Sequence, residues 1–121
     1  MKQSQAENLF NQLSSINVKG KVGYVIAYNL RKINDELREY FEFKQELFKK
    51  YGEEKDGQLI INKGSDNYLL FMKEISPLED EEIDLNLKYL TEEDLEKCED
   101  LNTSQYLFLM ENLYESINDT R

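Results

Sequence analysis

From Lys21 to Tyr51 large apolar residues recur every three or four positions, and no proline interrupts them. Ile26, Leu30, Ile33, Leu37, Tyr40, Leu47 and Tyr51 follow an alternating four-three register, with Lys44 in one seam position. Phe41 and Phe48 widen the stripe beyond a coiled-coil seam, which suits a globular core. Asp35, Glu36, Arg38, Glu39, Glu42 and Glu46 cover the other faces, and Gly52 is a natural stop. The pattern predicts one amphipathic helix on the order of 45 Å long. A short neighbour cannot cover such a stripe, so the surplus must pack on the C-terminal half or on a second copy of the chain. Ile26, Leu30, Ile33, Leu37 and Tyr40 are the candidates for self-association. Lys44 in the seam is either a register device or a point where the helix leaves the core.

The remaining elements are shorter. Ser4 and Glu7 have the spacing of a capping box, and Ala6, Leu9, Phe10 and Leu13 then share one face, predicting a first helix from Ser4 to about Ser15. The turn signals Asp56-Gly57 and Lys63-Gly64 bracket a short strand at 58–62, and the alternation over 83–88 suggests a second. Their simplest pairing is an antiparallel ribbon connected through a third helix, capped by Asp66 and ending near Pro77. Thr91 caps a short helix rich in acids at its start. Thr103 opens the last, with Tyr106, Leu107, Met110, Leu113, Tyr114 and Ile117 as its stripe, before a tail expected to fray. The expected fold is mostly α (α+β): a long central helix in a helical hairpin or bundle, a small two-stranded antiparallel ribbon and short C-terminal helices. With 121 residues and no visible boundary, one domain is expected.

Composition narrows the chemistry. The chain has no histidine, which removes Ser-His and Cys-His nucleophiles and the usual acid–base group. One cysteine, Cys98, allows no internal disulfide and, without histidine, no structural zinc. Its neighbours Glu96, Glu99 and Asp100 argue against nucleophilic use, so Cys98 reads as a small semi-buried residue. The N-terminus lacks the apolar run of a signal peptide, and nowhere do 18 apolar residues run together. A cytoplasmic protein outside the membrane is expected.

Charge is unevenly divided. Residues 1–51 hold nine Lys/Arg and six Asp/Glu, whereas residues 52–121 hold six and nineteen, within a net charge of −10. Glu79, Asp80, Glu81, Glu82 and Asp84 form one acidic cluster; Glu92, Glu93, Asp94, Glu96, Glu99 and Asp100 form another. Such clusters can bind Mg²⁺ or Ca²⁺, but no EF-hand spacing is present. A solvated face is the plain reading and a partner-facing surface its rival. Direct nucleic-acid binding is disfavoured for want of clustered cations. Tyr24, Tyr28 and Tyr40 therefore read as core or interface rather than stacking platforms. The GKVG run at 20–23 lacks the P-loop form, so Gly20 reads as loop geometry and Lys19 and Lys21 as a weak anion lure.

Three stretches, YVIAYNLRKINDEL (24–37), LFKKYGEEKDG (47–57) and EEIDLNLKYLTEEDLE (81–96), resemble a family of small proteins of tailed phages and prophages of Gram-positive bacteria. The likeness spans most of the chain, and its motifs are helices and turns rather than active-site signatures. It implies a phage gene acting in the host cytoplasm, and no defined activity comes with it.

These readings favour a non-enzymatic binding protein without cofactor or metal. Its partner would be a host or phage protein with a basic surface, engaged through the two acidic clusters. Inhibition of a defence component such as a nuclease, by mimicry of nucleic acid, is the concrete form. An oligomeric phage assembly factor or chaperone is the alternative. A third reading is a sponge for a nucleotide signal at a subunit interface, with Lys19, Lys21, Arg31 and Lys32 as its cations.

Overall fold

The computed structural model describes residues 1–115. The chain is mostly helical with one two-stranded antiparallel ribbon, as the pattern predicts. Helices α1 (Gln3–Ser14) and α2 (Gly20–Tyr51) come first, then strands β1 (Glu53–Lys55) and β2 (Gln58–Ile60). Helices α3 (Asp66–Glu79), α4 (Glu92–Glu96) and α5 (Thr103–Asn112) complete the order. No helix among the described residues is long and apolar enough to cross a membrane.

Two compact units divide these elements. The first holds residues 1–7 and 35–84, the second residues 8–34 and the described residues from 85 onward. The division falls inside α1 and α2, not at a linker, so no change of composition announces it.

In the first unit Ala6, Leu37, Tyr40, Leu47, Phe71 and Ile75 are buried, with the Phe48 and Phe71 rings 5.1 Å apart. Helix α1 begins a residue earlier than its Ser4–Glu7 spacing suggests. The Lys2 N–H donates to Gln5 Oε1 at 2.8 Å, and the Gln5 side chain does the work expected of Glu7. Glu7 is thereby free for α2: it accepts from the Tyr40 hydroxyl at 2.9 Å and from Lys44 Nζ at 2.7 Å. The seam lysine is thus a paired, half-buried charge.

The ribbon also departs from expectation. β2 pairs with β1, Glu54 opposite Leu59, and not with 83–88. Asp56 (φ 53°) and Gly57 (φ 80°) form the two-residue turn that matches the twist of a hairpin. This local closure costs less chain entropy than pairing across a helix. Ser65, one residue before Asp66, caps α3 by accepting from the Tyr68 N–H at 3.2 Å. α3 continues past Pro77, where Asp80 N–H still reaches the Ser76 carbonyl at 3.2 Å.

The second unit encloses an aliphatic core that includes Leu9, Leu13, Val22, Val25, Ile26, Ile33, Leu90, Leu95, Leu109 and Leu113. Gly23 is required by a close approach: a Cβ there would stand 2.2 Å from the Val18 carbonyl oxygen. Over 85–88 burial alternates as expected, yet the backbone joins no sheet. Asn29, fully buried, takes the place of a neighbouring strand. Its Oδ1 accepts from the Lys88 N–H at 2.8 Å and its Nδ2 donates to the Lys88 carbonyl at 2.9 Å. Thr91 caps α4 as predicted, in a reciprocal box with Asp94. For α5 the cap is Asn102, one residue before Thr103. The expected stripe is rotated: Leu109 and Leu113 are buried while Leu107 is exposed, and Ile117 and the tail lie outside the described residues.

Ile26, Ile33, Leu37 and Tyr40 are buried within the chain and Leu30 is half-buried. The stripe assigned to self-association is therefore covered by the chain's own units rather than presented at the surface.

Candidate functional site

Each unit contributes acids to its exterior, and their surroundings differ. In the second unit the first turn of α4 carries Glu92, Glu93 and Asp94, where the helix dipole favours acids. Asp94 is structural. It accepts from the Thr91 N–H at 3.0 Å and pairs with Lys21 Nζ at 3.2 Å. Burial pushes its carboxyl upward, but the Thr91 and Lys21 contacts outweigh that and hold it below the usual carboxylate range. Glu93 pairs with Lys97 at 2.8 Å, and Asp100 accepts from the Lys19 N–H at 3.3 Å. Glu92, Glu96 and Glu99 remain exposed, with no side-chain partner among the described residues. Cys98 is half-buried just after α4.

The cations proposed for a nucleotide are not gathered into one site. Lys21 is held by Asp94, and Lys32 lies over the Tyr28 ring at 5.5 Å. Lys88, from the segment held by Asn29, sits over the same ring at 4.7 Å and over Tyr24 at 5.8 Å. Tyr24 is well exposed and Tyr28 half-buried, so only Tyr40 of the three tyrosines belongs to the core.

In the first unit the acidic cluster follows α3. Asp80 lies 3.6 Å from Lys2 Nζ, and Glu82 pairs with the Met1 amino group at 2.9 Å. Glu79 is half-buried, close enough for its charge to act on Tyr40. Asp84 and Glu81 are exposed, with no side-chain partner among the described residues. Glu81 also holds the N-terminus of α1 in position, its carbonyl accepting from the Gln3 N–H at 2.9 Å.

Glu81 opens onto a groove of about 570 Å³ formed between α2 and α3. Four carboxylates line it, Glu36, Glu39, Glu74 and Glu81, and among the described residues no lysine or arginine does. Phe43, Pro77, Leu78 and Ile83 supply an apolar wall, and Gln3 and Tyr40 complete the lining. Phe43 is 41% exposed, unusual for a ring on a helix face otherwise charged. Burial first, then the hydrogen bond to Glu7 and the charges of Glu7 and Glu79, raises the Tyr40 hydroxyl far above its ordinary range. Tyr40 therefore remains a neutral donor. Glu74 is already engaged by the Tyr51 hydroxyl and lies 3.7 Å from Lys50 Nζ. Among the described residues, no three His, Cys, Asp or Glu side chains converge closely enough to hold a metal ion.

Of the acids singled out from sequence, only Glu81 lines this groove. Glu36 and Glu39 belong by sequence to the polar faces of the long helix, and Phe43 lies off its apolar stripe. The available signal was their spacing: i, i+3 and i+7 put two acids and an off-stripe aromatic on one line of α2. No family model, curated protein or solved structure matches the chain.

Proposed function

We propose that this chain acts by binding rather than by catalysis, engaging a basic partner protein through its acidic surface. One observation carries the reading: the carboxylates left over once structural duties are subtracted. Glu81, Asp84, Glu92, Glu96 and Glu99 are exposed and have no side-chain partner among the described residues. Like charges kept close together repel and gain nothing for the fold. A cationic partner relieves that repulsion and is drawn in faster by it.

The most concrete form is a phage inhibitor of a host defence nuclease, whose cationic groove the acids occupy in place of phosphates. The phage setting comes from the resemblance of 24–37, 47–57 and 81–96. The test is inhibition of, and binding to, a purified basic nuclease across a salt series. Lysine substitutions at Glu81, Asp84, Glu92, Glu96 and Glu99 leave the caps and ion pairs intact and should abolish binding. Binding that ignores both salt and these reversals would refute the reading.

A further inference from the structure

We propose that the groove of the first unit is the docking site for a basic segment of a partner protein. An arginine or lysine side chain would lie along the apolar wall, its cationic head among Glu36, Glu39 and Glu81. The proposal rests on the binding reading above and gives it an address.

Charge complementarity is the first support. Among the described residues the groove is lined by four carboxylates and no cation, and only Glu74 of the four is engaged. Glu36, Glu39 and Glu81 are exposed and have no side-chain partner among the described residues.

Shape and apolar surface are the second. A bare metal ion has no use for Phe43, Pro77, Leu78 and Ile83, and the carboxylates do not converge on a point. An arginine or lysine matches both halves of the groove, because an apolar stem carries its charged head. The volume of about 570 Å³ suits one or two such side chains with their backbone.

The third support is a vacant acceptor. Gln3 is over nine-tenths buried in the groove lining. Its Nε2 donates to the Leu78 carbonyl at 2.6 Å, and its amide oxygen, which is not itself buried, has no partner among the described residues. That oxygen can accept from a guanidinium or ammonium N–H.

The same unit already recognises ammonium groups in this manner twice. Lys44 Nζ lies 2.7 Å from Glu7 and 5.9 Å from the Tyr40 ring centre. Lys50 Nζ lies 3.7 Å from Glu74 and 5.0 Å from the Tyr51 ring centre. Each pairs a carboxylate with an aromatic ring, and Glu36, Glu39 and Phe43 offer that pair again with no cation on it among the described residues. Arginine is favoured over lysine, since its planar head both stacks on a ring and bonds carboxylates in pairs.

The experiment is calorimetric titration of the full chain with a blocked peptide of arginine and leucine, with a glutamate-for-arginine twin and spermidine alongside. The variants are E36Q/E39Q/E81Q, Phe43→Ser, E92Q/E96Q/E99Q from the second acidic cluster, and E42Q/E53Q/E54Q as the control, whose acids lie outside both the groove and the clusters. All ten positions are exposed, where substitutions cost the fold little. The arginine peptide should bind and its twin should not. The groove triple should weaken binding about tenfold or more, and Phe43→Ser severalfold without changing the salt dependence. The control should stay within about twofold. A loss in E92Q/E96Q/E99Q as large as that in the groove triple would overturn the groove while leaving the acidic-surface reading standing. Loss in neither of these triples would overturn both, and an equal loss in the control would overturn the docking proposal. Spermidine binding at least as tightly as the peptide, or no preference for the peptide over its twin, would also overturn the docking proposal.

Discussion

The two units take different halves of the same long helix and bury different things. In the second, the enclosed side chains are almost all aliphatic, with Leu13, Ile33, Leu109 and Leu113 wholly covered. Among its described residues the one fully buried polar side chain, Asn29, is bonded on both sides to Lys88. In the first, the core includes Tyr40 and Phe71, a half-buried Glu7–Lys44 pair and the buried amide of Gln3. Where aliphatic burial is dense, polar groups are bound into the framework. Where it is thinner, a groove remains in which three of the four carboxylates and an amide oxygen have no partner among the described residues. The second unit reads as framework that also carries free surface acids, and the first as the place where a cationic side chain is seated.

Substitutions sharpen that contrast, and the largest effect belongs to the aliphatic core. Leu109→Ala should cost about 3 kcal/mol in urea denaturation while leaving peptide binding in the groove intact. Next is Asn29→Leu, which fills the same space but strands the N–H and carbonyl of Lys88. It should cost about 2 kcal/mol, with loss of amide-exchange protection at Lys88 as the specific sign. In the first unit, Glu7→Ala deprives Tyr40 and Lys44 of their shared partner and should cost about 1–2 kcal/mol.

The smallest effect separates the units by pH. Asp94 has a depressed carboxyl in the folded chain, so its contribution is complete above the ordinary carboxylate value of about 4 and is lost as pH falls through the lower folded value. Tyr40 is raised, so its contribution is complete below about 10 and declines as pH rises above that toward the folded value. Acid should therefore loosen the α4 cap first, and alkali the Tyr40–Glu7 contact. Amide exchange at α4 and at the centre of α2, followed across pH, checks both. Asp94→Asn and Tyr40→Phe should each remove only its own arm.

Much of the framework was legible in the sequence, because helical spacing and capping chemistry are local. The register of Ile26, Ile33, Leu37 and Leu47 marked α2 almost to the residue, and Thr91 marked the start of α4. What escaped depended on partners distant in the chain. Gln5 rather than Glu7 caps α1 because Glu7 has a better use against Tyr40 and Lys44, which lie more than thirty residues away. Asn29 completes an extended segment fifty-nine residues later, so 85–88 alternates like a strand without joining a sheet. The hairpin formed where the Asp56-Gly57 turn allowed, using the polar run Glu53–Lys55 that carries no strand pattern of its own. Among the acids, charge density drew attention to 79–84 and 92–100. The groove instead takes Glu36 and Glu39 from a helix face that looked merely solvated.

The claim that recognition is centred on the first unit is tested most directly by residue-resolved NMR titration of the full chain with the arginine–leucine peptide. Shifts should concentrate on Gln3, Glu36, Glu39, Phe43, Leu78 and Glu81 and saturate together with a single affinity. Shifts centred on 92–100, or spread over every acid without saturation, would contradict it.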